Sequence, residues 1–161
     1  PHPLLRHHDG RRCLQGGAWD GLDPAELAAA VSTVVFEARR EELSAGRPVP
    51  GGPQGRLARA LDATVRQWSE LTDLEAQHGL TATRPVDLGL VDPVHRWASG
   101  RSLSHVLAGT DLAAGDFVRW CKQVIDLLDQ VAQAAGSPAT RGTAHRAVEK
   151  LRRGVVAYSS V

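Results

Sequence analysis

The sequence is poor in cysteine, has almost no excess of either charge and holds no long apolar run, and each shortage narrows the class of protein. Its two cysteines, Cys13 and Cys121, lie far apart with neither a CxxC pair nor zinc-ligand spacing. That pattern reads as reduced thiols in a cytosolic protein, with a Cys13–Cys121 disulfide the unsupported alternative. A formal net charge of +1 excludes affinity for polyanions through bulk charge, so any nucleic-acid binding must come from local arrangement. No signal-like apolar segment opens the chain, which starts at Pro1 without an initiator methionine. We read it as cut from something longer, with nothing addressing it outside the cytoplasm and no membrane partner.

Catalytic motifs are equally scarce. The glycines from Gly46 to Gly51 are followed by Gly52 and Pro53, without the lysine and hydroxyl that a phosphate-cradling loop needs. There is no GxSxG elbow, no HExxH pair and no Cys-His constellation, and Glu41 with Glu42 reads as a solvated helix end. His2, His7 and His8 stand among prolines and arginines with no carboxylate or thiol at ligand spacing, so no metal is expected. The chain itself is expected to catalyse nothing and to hold no cofactor.

What is present is helix. At 161 residues, 42% apolar and 23% charged, the chain is long enough for one domain with its own core. Asp23-Pro24-Ala25-Glu26 supplies a cap, a first-position proline and a reciprocal acceptor, starting a helix that should run to about Glu42 with one apolar face. The glycines and prolines of 44–55 make a loop. Leu57, Leu61, Val65, Trp68, Leu71 and Leu74 trace a second helix that should pack on the first. A third segment opens around Pro85, with a short helix over about 90–98 marked by Val91, Val94, Trp97 and Ala98 and closed by Gly100, and another follows at Leu103 to Ala108, capped by Ser102. Phe117, Cys121, Val124, Leu128, Val131 and Ala135 mark the longest helix, and Ser137-Pro138 starts a last one carrying Ala144, Val148, Leu151 and Val155 coreward. No segment alternates as a strand. The expected fold is all-α: a helical bundle of five or six helices with a helix-turn-helix-like pair before one long, ratchet-like helix.

Three motifs carry a resemblance. Trp97-Ala98-Ser99-Gly100 closes a short helix, Gly115-Asp116-Phe117-Val118-Arg119 opens the long one, and Arg152-Arg153-Gly154-Val155-Val156 ends the chain's last helical stretch. With Gly17-Ala18-Trp19-Asp20-Gly21-Leu22-Asp23, this set resembles the C-terminal helical (DSHCT-type) domain of Ski-type DExH-box RNA helicases, most of all the actinobacterial HelY-type branch. The likeness covers residues 13–161, leaving 1–12 as a joining segment. It implies a parent ATP-dependent RNA helicase whose motor domains bind ATP and magnesium and hydrolyse the nucleotide. It further implies, as partners, single-stranded RNA, those motor domains and an RNA-degrading complex.

The resemblance also implies that the long helix looks into an RNA channel through Arg119, Lys122, Gln123 and Asp126, residues off the apolar stripe. Arg119 and Lys122 would hold phosphates; Gln123 and Asp126 would meet base edges or 2'-hydroxyls. Gln123 stands where eukaryotic members usually carry arginine, and Gly154 where many carry aspartate. A neutral amide lacks the counterion-release term. By spacing alone, Lys122 and Asp126 make an ordinary surface ion pair of roughly 0.3–0.5 kcal/mol. Arg152 and Arg153, at a helix end, suit the macrodipole, and with Trp120 they are the candidate interdomain contacts. Trp19, Trp68 and Trp97 read as packing residues rather than base-stacking platforms. The alternative function is a stand-alone interaction module, either protein-docking or a DNA-binding helix-turn-helix using Arg96, Arg101 and Arg119.

Overall fold

The computed structural model describes residues 17–35, 49–79 and 88–158, which hold seven helices and no strand. These are α1 (Pro24–Val35), α2 (Arg56–Gln77), α3 (Val91–Ala98), α4 (Leu103–Leu107), α5 (Ala114–Ala134), α6 (Pro138–Leu151) and α7 (Gly154–Tyr158). The fold is all-α as expected, with α1 at its centre and α3, α5 and α6 packed around it.

Capping starts α1 as the sequence predicts. The Asp23 amide donates to Glu26 Oε1 at 2.9 Å and the Glu26 amide donates to Asp23 Oδ1 at 2.8 Å, a closed capping box. The expectation of a single core face is corrected, because every residue from Ala25 to Val35 is buried. Ala28, Ala29 and Ala30 let neighbours approach closely on several sides. Ser32 and Thr33 tolerate burial by donating their hydroxyls back to the carbonyls of Ala29 and Ala30, at 2.6 and 2.7 Å. The expected end near Glu42 lies outside the described residues, as does the opening of the third segment around Pro85.

The 44–55 loop is described from residue 49, and consecutive left-handed glycines, Gly51 (φ 85°) and Gly52 (φ 81°), turn the chain there into α2. Only the first turns of α2 reach the core. Leu57, Ala60, Leu61 and Thr64 are buried, whereas Val65 and Leu74 are 37% and 41% exposed. The indole of Trp19 donates to Thr64 Oγ1 at 3.1 Å, tying the segment before α1 to this buried end.

α3 ends at Gly100 (φ 96°), and Ser102 caps α4 by accepting from the His105 amide. Along α5 the predicted stripe is buried throughout and is widened by Val118, Ile125, Leu127 and Ala132. Arg141 crosses back to donate to the carbonyls of Ala132 and Ala135 at the end of α5. α6, capped by Ser137 through the Thr140 amide, buries Ala144, Ala147, Val148 and Leu151.

The last helix was expected to be continuous through Val155, and here the structure differs. It breaks after Leu151 and restarts at Gly154, whose φ of 52° is left-handed. The break shifts the register by one residue, so Val156 is buried and Val155 is 46% exposed.

Candidate nucleic-acid interface

At 100° per residue, positions 116, 119, 122, 123 and 126 of α5 share the face opposite its buried stripe. Arg119, Gln123 and Asp126 are exposed, and Lys122 and Asp116 are half-buried. The structure thus brings the four candidate residues onto one side of one helix. It adds Asp116, which pairs with the Arg119 guanidinium one turn away. Both partners are about half exposed, so the pair is worth no more than a few tenths of a kcal/mol, and a phosphate could displace the carboxylate at small cost. The acid three residues before the arginine was the available sequence signal. Two cations face two carboxylates here, so this face holds fixed charges of both signs rather than a basic stripe.

The three candidate interdomain residues have different surroundings. Arg152 is exposed, and Trp120 is half-buried against the core. Arg153 is engaged within the domain: its guanidinium lies 3.7 Å from the ring centroid of Trp97. Nε and Nη2 donate to the Trp97 carbonyl at 3.1 and 2.6 Å, and Nη2 donates to the Arg101 carbonyl at 2.6 Å. Trp97 in turn donates its indole N–H to the Leu151 carbonyl at 2.9 Å and meets Phe117 edge-on, with ring centroids 6.1 Å apart. A Cβ at Gly154 would stand 3.4 Å from the Trp97 ring. The three sequence motifs therefore converge on one tryptophan, which joins α3, α5 and the α6–α7 break.

Beneath this junction Cys121 is free and buried. Burial pushes its thiol well above the ordinary range, and the Arg153 charge opposes that shift only in part. Burial lowers the Arg153 pKa, with Cys121 acting in the other direction. Cys13, His2, His7 and His8 lie outside the described residues. Among the described residues no three His, Cys, Asp or Glu side chains converge as metal ligands. No described helix is long and apolar enough to cross a membrane.

The helix-turn-helix-like pair is α3 with α4. α4 has five residues, about 7 Å of rise, which is short for a helix laid along a major groove. Arg96 is held by Asp92 at 3.0 Å, leaving Arg101 and Arg119 as the exposed members of that alternative set.

Fold and face together define a helical-bundle domain built on one long amphipathic helix and locked by a tryptophan–arginine junction. More particularly, the chain belongs to the DSHCT (NUC185) domain family, whose model matches residues 11–159. It is 47% identical over 158 residues to the probable helicase HelY of Mycobacterium tuberculosis, covering 92% of this chain and 17% of that protein. Against the probable helicase HelY of Mycobacterium leprae the identity is 46% over 155 residues, with the same coverage. The human exosome RNA helicase MTR4 is more distant, 23% identical over 149 residues, which cover 90% of this chain and 14% of that protein. The chain thus spans less than a fifth of the length of these relatives.

Proposed function

We propose that this chain is the non-catalytic C-terminal domain of an ATP-dependent RNA helicase, where it positions or grips single-stranded RNA and braces the motor domains. One observation carries the reading. α5 buries one side along its whole length and presents Arg119, Lys122, Gln123 and Asp126 together on the other, in a domain whose relatives are named helicases. A helix so anchored is a rigid bar about 30 Å long, suited to holding a strand in register. Phosphates would draw on Arg119 and Lys122, while Gln123 and Asp126 supply an amide and a carboxylate for base edges or 2'-hydroxyls. In the same reading ATP and magnesium belong to the motor domains, the helicase works in the cytoplasm, and the processed RNA passes to a degrading complex.

The reading is tested by photo-crosslinking the chain to single-stranded RNA carrying 4-thiouridine and mapping the adducts by mass spectrometry. Adducts should concentrate on α5 between residues 116 and 126. Adducts that avoid α5 would rule out RNA contact by this face.

A further inference from the structure

A second polar concavity lies away from the α5 face, where α3 and α4 meet the loop that leads into α2. It encloses about 320 Å³, near the lower end of the range for small-molecule sites. Its lining is rich in nitrogen donors. Arg96, Arg101, His95 and His105 line it, with Asp92 the one carboxylate among the described residues of the lining. That carboxylate is 7% exposed and is already held by Arg96, whose Nε lies 3.0 Å from Oδ2. Arg96 Nη1 also donates to the His105 carbonyl at 3.4 Å, which fixes α3 against α4 across the cleft.

The remaining arginine and the two imidazoles have no partner among the described side chains. Among the described residues the side chains of His95, Arg101 and His105 make no hydrogen bond or ion pair; the bonds these three residues make there run through their backbones. The Arg101 backbone is pinned from behind by Arg153, which donates to its carbonyl at 2.6 Å, so the guanidinium is carried on a fixed base. Val49 and Pro50 supply the apolar part of the lining.

The geometry points to this cleft as a binding site for a phosphate group, with Arg101, His95 and His105 as its donors and Asp92–Arg96 as a self-neutralised floor. Arginine offers a planar fork to phosphate oxygens, and each imidazole adds a donor that gains a charge when protonated. The volume admits a phosphate with part of an attached body, and the Val49–Pro50 part of the lining suits the less polar side of such a ligand. A 5'-terminal nucleotide phosphate and an internal phosphodiester share this chemistry. The inference stands apart from the role given to α5, since none of the α5 candidates lines the cleft.

The test is an NMR titration of the isotope-labelled chain with inorganic phosphate, uridine 5'-monophosphate, uridine, and the trinucleotide UpUpU lacking terminal phosphates. Phosphate and the monophosphate should give saturable shifts in the His95, Arg101 and His105 side-chain signals, and uridine none. Arg101→Ala with His105→Ala, both at exposed positions, should weaken phosphate binding about tenfold or more, the loss expected for charge-assisted contacts. The signals of α5 should stay in place in that variant. Saturation by UpUpU identifies the ligand as an internal phosphodiester, and response to the monophosphate alone identifies a terminal phosphate. Shifts that do not saturate, or that survive the double substitution, overturn the site. Arg119→Ala with Lys122→Ala should leave the phosphate response of the His95, Arg101 and His105 signals unchanged whatever happens at α5, which separates this result from the fate of the α5 reading.

Discussion

Arg153 acts here through its shape as much as its charge, because the planar fork reaches two carbonyls while the same group lies over the Trp97 ring. Arg153→Ala should lower the unfolding free energy by about 2 kcal/mol, the range for charged hydrogen bonds plus a cation–π contact, as read by urea denaturation. Arg153→Lys should recover less than half, since an ammonium cannot bond in the same forked geometry. Cys121 gives a pH signature. Its folded pKa is raised, so above the unfolded thiol's ordinary value of about 8.5 the unfolded state loses protons that the folded state keeps. Stability is therefore full below that pH and falls as pH rises above it, by at most about 1.4 kcal/mol per unit. Cys121→Ala should remove that part of the slope between pH 8 and 9.5, although the smaller side chain will lower stability at every pH.

At the scale of elements, Gly154 decides where one helix ends and the next begins. Gly154→Ala should cost roughly 1–2 kcal/mol, because a left-handed residue gains a Cβ, while that Cβ's 3.4 Å approach to the Trp97 ring is ordinary contact. Thermal unfolding followed by circular dichroism checks it. α2 supplies an internal contrast: Leu57→Ala should cost about 2–5 kcal/mol and Val65→Ala far less, since only the first lies fully in the core. Equal losses at both positions would contradict the partial docking of α2.

These elements also show what the sequence could and could not disclose. Helix starts were legible because caps are local, as with Asp23 and Glu26, Ser102, and Ser137 with Pro138. The α5 stripe was legible because its period is local too. The complete burial of α1, the exposure of Val65 and the break before Gly154 were not, since each depends on which other helix lies alongside. The polar α5 face was read from spacing and resemblance, but the Arg119–Asp116 pair was missed. The cleft of His95, Arg101 and His105 gathers residues from two helices and the turn between them, so no single period could reveal it.

For the molecule as a whole, a net charge of +1 and a balanced α5 face predict weak RNA binding that depends on few ionic contacts. The relatives this domain resembles are named helicases, and the proposed mechanical role rests on α5 meeting the strand. The most direct measurement is fluorescence anisotropy of this chain with single-stranded RNA and with duplex DNA, at low and physiological salt. It compares the unaltered protein with Arg119→Ala plus Lys122→Ala. We predict weak, salt-sensitive binding that prefers single-stranded RNA and is reduced about tenfold by the double substitution. RNA binding that is absent at low salt, or untouched by the double substitution, would contradict the grip and leave α5 a structural brace.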